Sequence, residues 1–205
     1  MNAELFLKRK ERLLISAIRL LDEAGLAGVT TRELAKREGI SEPAVYRHFD
    51  GKAEVLLAIL ERFAEFDGGL ADTVSENGMA PLDAIRHVCD AYAGYYSGYP
   101  QIANVMFSMD MWKYDISLDE RMKVIFSARR DLIAGLLRDA AVRGDLPAGT
   151  ELEGLSDLLA GLVATATHQW NLLDRSYDLR TRVRSMLDWV LPLPGKDREL
   201  EETGT

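Results

Sequence analysis

Apolar residues recur along almost the whole chain at steps of three and four rather than in alternation, so the pattern predicts an all-α protein of roughly nine helices. The first is expected over about Leu5–Ala24, stopped by Gly25, a residue suited to the left-handed position after a helix. A second opens at Thr30, where Thr30-Thr31-Arg32-Glu33 spells a capping box, and stops at Gly39. Ser41 is placed to cap a third, short helix from Glu42 to about Phe49, with Pro43 tolerated in its first turn because no intrahelical donor is needed there. Asp50 is the expected cap of a fourth helix, which carries Leu56, Leu57, Leu60 and Phe63 towards Gly68-Gly69.

Beyond a polar stretch from Gly68 to Pro81, the residues Leu82, Ile85, Cys89, Tyr92, Tyr96 and Tyr99 form one helical stripe that Pro100 ends. A shorter segment from Gln101 to about Trp112 is rich in Met and aromatics, and a long helix follows over about Leu118–Arg143. Gly144, Pro147 and Gly149 interrupt the pattern before a last pair, Leu152–Leu173 and Leu179–Leu191. Pro192, Pro194 and the acidic residues after them read as a frayed end, with 196–205 a flexible tail.

The segment between Thr30 and Phe49, helix, three-residue turn and short helix, has the form of a helix-turn-helix, in which the second helix enters the major groove and the first braces it. Leu34, Ala35, Ile40, Val45 and Phe49 are able to pack inward. Glu42, Ala44, Arg47 and His48, with Tyr46 alongside, are left outside, where Arg, His and Tyr suit phosphate and base-edge contacts. Charge changes this picture only through its distribution. The chain carries a net charge of -8. Residues 1–52 nevertheless hold 10 Lys/Arg against 8 Asp/Glu, while 53–205 hold 15 against 25, so the N-terminal part is the one able to meet DNA.

Other chemistry finds little support. The single cysteine, Cys89, excludes an intrachain disulfide framework and points to a reduced, cytoplasmic protein. No apolar run approaches a membrane span, and no signal peptide is recognisable. His87 and Cys89, two residues apart on a helix, point to different sides and make no metal site. Phosphate-loop, dinucleotide, nucleophile-elbow and zinc-protease motifs are missing, which leaves a non-enzyme needing no cofactor. The alternative from another class is a helical adaptor or scaffold without DNA binding.

From Leu13 to about Leu57 the chain resembles the DNA-binding domain of TetR-family repressors, through Ala17, Leu21, Gly25, Thr30-Thr31, Leu34-Ala35, Gly39-Ile40-Ser41, Val45-Tyr46, His48-Phe49 and Lys52. The resemblance implies that Thr31 and Lys52, at helix starts, grip phosphates, and that Tyr46 and His48 contact the sugar-phosphate backbone and sometimes bases. It places Arg32, Glu42, Pro43 and Ala44 where base edges are commonly met. It departs from the family at Pro43, where a small residue often stands, and at Glu42, which is able to accept from cytosine N4 or to be merely a helix-start charge.

Taken with the resemblance, the expected organisation is a DNA-binding domain over 1–50 and a regulatory and dimerisation domain over 51–195. The expected partners are a palindromic operator, a second copy of the chain and a small hydrophobic effector. Leu152, Leu155, Leu159, Leu162 and Ala166 are the expected dimer face on one helix, and Val183, Met186, Leu187 and Val190 on the next. Tyr92, Tyr96, Met106, Phe107, Met109 and Trp112 are the candidate effector contacts, with His168, Gln169 and Asn171 as polar handles. The bland alternative for all of them is plain core.

Overall fold

The computed structural model describes residues 8–108 and 113–191. Among them the chain forms nine α-helices and no strand. They are α1 Arg9–Gly28, α2 Thr31–Glu38, α3 Glu42–Tyr46, α4 Lys52–Glu76, α5 Pro81–Gly98, α6 Pro100–Met106, α7 Ile116–Arg143, α8 Leu152–Leu172 and α9 Leu179–Val190. They divide between two compact units, one of residues 1–68 with 99–127, the other of 69–98 with 128–205. Leu5 and the 196–205 tail lie outside the described residues.

In the first unit α1 packs on α2 and α6, and α2 packs on α3. Its core is built from the residues that the spacing brings to one side of each helix: Leu13 and Ala17 of α1, Leu34 of α2, Val45 of α3, and Val55, Leu56, Ile59, Leu60 and Phe63 of α4, all fully buried or nearly so. Gly25 takes a positive φ of 63° inside α1, so the helix breaks where expected and a further turn to Gly28 follows. Asn104 Nδ2 donates to Asp22 Oδ1 at 2.7 Å, tying α6 to α1. Arg121 donates to Glu61 at 2.6 Å, tying α7 to α4.

Two local expectations fail. Asp50 does not cap α4: the helix begins one residue later, with the Gly51 carbonyl accepting from Val55 N–H at 3.2 Å and the Asp50 N–H bonded to the Glu54 carboxylate. Nor do Gly68 and Gly69 end α4, which runs through both to Glu76. Leu70 and Val74 stay buried beyond the pair. Continued burial on the helical period outweighs a penalty of about 1 kcal/mol per glycine.

In the second unit α5 packs on α8 and α9, and α8 on α9. Ile85, Val88, Cys89, Ala93, Leu159, Ala166, Val183 and Leu187 form its interior. Arg180 and Arg184 of α9 both reach the Asp90 carboxylate of α5, Arg184 at 2.8 Å, and Arg86 reaches Asp188 at 2.5 Å. The Arg180 and Arg184 guanidinium groups hold the Asp90 carboxyl below the usual aspartate range. Trp170 Nε1 donates to the Tyr177 carbonyl at 2.8 Å and the Tyr177 hydroxyl to the Ala166 carbonyl at 3.1 Å, fixing the turn between α8 and α9.

This packing corrects the expected dimer face. Leu159, Leu162, Ala166, Val183 and Leu187 are buried inside their own unit and present nothing to a partner. The exposed line on α8 is Leu158, Gly161, Thr165, His168 and Leu172, and on α9 Trp189 stands 88% exposed. Tyr99, assigned to the α5 stripe by spacing, is exposed beyond the end of that helix.

Candidate nucleic-acid interface

Short-range chemistry builds the helix-turn-helix. The Thr30 hydroxyl accepts from the Glu33 N–H at 3.1 Å and starts α2. Gly39, with φ 64°, ends it in the left-handed region, and the Ile40 N–H returns to the Ala35 carbonyl at 3.0 Å. Ser41 occupies the cap position of α3 without a side-chain hydrogen bond; its carbonyl accepts from Ala44 N–H at 2.9 Å instead. Leu34, Ala35, Val45 and Phe49 face inward. The Arg12 guanidinium of α1 forms an ion pair with the Glu38 carboxylate of α2 at 3.2 Å, the Ser16 hydroxyl donates to that carboxylate at 2.7 Å, and Arg37 pairs with Glu23, which fixes the bracing helix against α1.

Arg32, Pro43, Tyr46 and Arg47 are exposed, and Thr31, Glu42, His48 and Lys52 are half-buried. Ala44 is the exception among the expected contacts. It is 5% exposed, because the short α3, packed on α2, buries the adjacent positions Ala44 and Val45 together.

Two polar arrangements were invisible in the sequence. The Thr31 hydroxyl donates to Glu42 Oε1 at 2.5 Å and lies 3.4 Å from the Tyr46 hydroxyl, so α2 and α3 meet through Tyr46, Thr31 and Glu42. Lys52, at the start of α4, donates to the Leu26 carbonyl, and its ammonium stands 4.8 Å over the ring of Tyr114. Burial there lowers the Lys52 pKa from the ordinary lysine value. Tyr114 precedes α7, and no local pattern links it to Lys52.

The candidate effector residues divide between the units. Tyr92 and Tyr96 are buried on α5 in the second unit, rings stacked at 6.3 Å. The Arg129 guanidinium lies 4.7 Å over Tyr92 and donates to the Tyr96 hydroxyl at 3.2 Å. Met106 is buried and Phe107 half-buried in the first unit, while Met109 and Trp112 lie outside the described residues. His168 and Gln169 are exposed on α8 and Asn171 is half-buried. The polar group set against the tyrosines is therefore Arg129, which spacing had not singled out.

With this geometry in place, the family model described as bacterial regulatory proteins of the tetR family matches residues 13–59, a span that holds α2, the turn, α3 and the start of α4. The matched residues resemble the DNA-binding domain of the TetR family, and the chain is a DNA-binding transcriptional regulator, helical among the described residues with an N-terminal helix-turn-helix. Among relatives it is similar to the fatty acid metabolism regulator protein of Bacillus subtilis, 17% identical over 88% of this chain and 92% of that one. Among solved structures, FadR of Bacillus subtilis in complex with stearoyl-CoA has the same fold, with a TM-score of 0.77, 16% identity, and 90% and 98% of the two chains covered. The SmeT–triclosan complex aligns at a TM-score of 0.76 with 25% identity, over 91% of this chain and 92% of that one. Among the described residues, no helix is long and apolar enough to cross a membrane, and no group of three His, Cys, Asp or Glu is placed to hold a metal ion.

Proposed function

We propose that this regulator is a repressor that occupies a palindromic operator as a homodimer and leaves it when a small hydrophobic effector binds. The observation that carries this is the outer surface of α3 and the ends of α2 and α4. Arg32, Tyr46 and Arg47 stand exposed there, with His48 and Lys52 beside them, on a helix pair joined by the Gly39 turn and tied to α1 through the Arg12–Glu38 ion pair. Arg32, Arg47 and Lys52 supply the cations for phosphate contact, His48 and Tyr46 add polar reach, and Pro43 offers apolar contact in the groove.

One short recognition helix reads a half-site, and two copies read successive major grooves about one helical turn apart. The α8 line Leu158, Gly161, Thr165, His168 and Leu172 repeats at steps of three and four, and with Trp189 it supplies a self-complementary face for a bundle of two helices from each copy. Leu158 is 52% exposed and Leu172 74%, area that a second copy would cover.

The effector belongs in the second unit, where the Tyr92 and Tyr96 rings with the Arg129 cation suit a mainly apolar molecule carrying one polar end. Stearoyl-CoA and triclosan, bound by proteins of similar fold, are both of this amphipathic kind. Such a ligand acts only through a difference in affinity between the DNA-bound and free arrangements of the dimer.

Titration of labelled duplex, followed by fluorescence anisotropy over a salt series, tests the reading. Binding is expected to weaken steeply with salt, and a selection from random duplexes is expected to enrich a palindrome. A protein that shows no salt-dependent duplex binding is the adaptor of the alternative reading.

A further inference from the structure

The geometry at the junction of α2 and α3 assigns Glu42 as a base-reading residue that selects cytosine in each operator half-site, with Thr31 holding its carboxylate in position. This assignment rests on the DNA-binding reading above. A threonine hydroxyl has one proton to donate. In this structure that proton is committed to Glu42 Oε1 at 2.5 Å, and the Tyr46 hydroxyl, 3.4 Å from Thr31 Oγ1, completes the cluster. The Thr31 side chain therefore cannot donate to a phosphate while this bond stands. It is a positioning residue for a carboxylate.

Glu42 is the first residue of α3, and the N-terminal residues of a recognition helix are those that meet base edges. Its side chain is half-buried, with Oε1 taken by Thr31. A carboxylate only accepts hydrogen bonds, and the major-groove edges answer it unequally. Guanine presents the acceptors N7 and O6, and thymine the acceptor O4 and a methyl group, so both set lone pairs or carbon against Glu42. Adenine offers its N6 amine beside the N7 acceptor, a pair that matches an amide better than a carboxylate. Cytosine presents the N4 amine as a donor without a neighbouring acceptor. A negative charge brought near phosphates also weakens binding to every wrong sequence, so Glu42 discriminates partly by rejection.

Selection from random duplexes with the full chain and with Glu42→Gln, Glu42→Ala and Thr31→Val tests this. The parent is expected to enrich cytosine at one position of each half-site, with about tenfold discrimination over thymine in direct titration, equivalent to about 1.4 kcal/mol. Glu42→Gln, nearly isosteric, is expected to shift that position to adenine, and Glu42→Ala to lose preference there while the other positions stay. Thr31→Val is expected to reduce the cytosine preference severalfold and leave the rest of the site unchanged. The same base enriched at every position by parent and Glu42→Gln would overturn the assignment, with Glu42 then acting only as a helix-start charge. A Thr31→Val variant that binds all sequences equally more weakly would restore a phosphate contact to Thr31 and overturn its positioning role. A parent that enriches no sequence refutes the DNA-binding reading itself, which separates the two failures.

Discussion

Alanine at Gly68 and Gly69 gives a stability change whose sign and size follow from backbone geometry alone. Both glycines are exposed within the continuous helix α4, neither has a positive φ, and a Cβ added at either meets nothing within 4 Å. The substitutions therefore add no contact and no strain. Their effect is the lost freedom of the unfolded chain and the better helix propensity of alanine, about 0.5–1 kcal/mol each. For a chain of this size each kcal/mol moves Tm by about 2–4 °C, so the double variant is expected to melt about 2–8 °C above the parent. Gly39→Ala supplies the opposite control: its φ of 64° penalises any side chain, and Tm is expected to fall. Circular dichroism melts at fixed protein concentration, with urea unfolding to check for an unchanged m-value, measure both. A Gly68→Ala/Gly69→Ala protein that melts at or below the parent temperature would refute the continuous helix and place special backbone conformations at the pair.

Further outcomes follow from the side chains. Leu158→Asp is expected to yield folded monomers by light scattering, whereas Leu159→Asp, one residue on but 1% exposed, is expected to unfold the protein; a dimeric Leu158→Asp protein would remove α8 from the proposed interface. Lys52→Ala is expected to weaken DNA binding for all sequences and flatten the salt slope by about one unit. Tyr114→Leu, which removes a contact worth about 0.5–1 kcal/mol and leaves the Leu26 carbonyl as the remaining hold on the lysine, is expected to tighten binding about two- to fivefold; unchanged affinity would mean that the ring does not compete with phosphate. Asp90→Asn is expected to destabilise the protein at neutral pH. Because the Arg180 and Arg184 guanidinium groups lower the folded-state pKa of Asp90, its contribution is present above the ordinary aspartate value and lost as pH falls through the lowered one. Urea midpoints of parent and variant should therefore converge in acid, and a constant difference across pH would disprove the linkage.

Features set by neighbours in sequence were legible before the fold was known. The Thr30 cap, the Gly39 turn and the inward side of α2 depend on contacts within a few residues, and the structure places all three as the pattern implied. What escaped was set by three-dimensional context. Spacing puts Leu158 and Leu159 side by side and cannot say which covers the interior of its own unit. Ala44 is small and neutral to the pattern, and only the close packing of α2 and α3 decides its burial. The glycine pair in α4 looks like a stop because local propensity is opposed by burial further along, at Leu70 and Val74. Tyr114 against Lys52, Arg129 against Tyr92 and Thr31 against Glu42 each join residues from different helices or loops, where no periodicity signals an encounter.

The way the chain is shared between its two units bears on how such regulators acquire new operators. It passes from one unit to the other at Gly68–Gly69, at Gly98–Tyr99 and at Ser127–Ala128, and the first and last passages lie inside uninterrupted helices. The unit that carries the helix-turn-helix thus includes a distant stretch, 99–127, whose Asn104, Tyr114 and Arg121 contact Asp22, Lys52 and Glu61. A single crossover between two parent genes would deliver α1–α4 without that stretch and break all three contacts. Recombination is therefore a poor route to altered DNA recognition in this architecture. On the DNA-binding reading proposed above, exposed positions such as Arg32 and Arg47, which the core does not constrain, are where single substitutions would retarget the protein and leave its assembly intact.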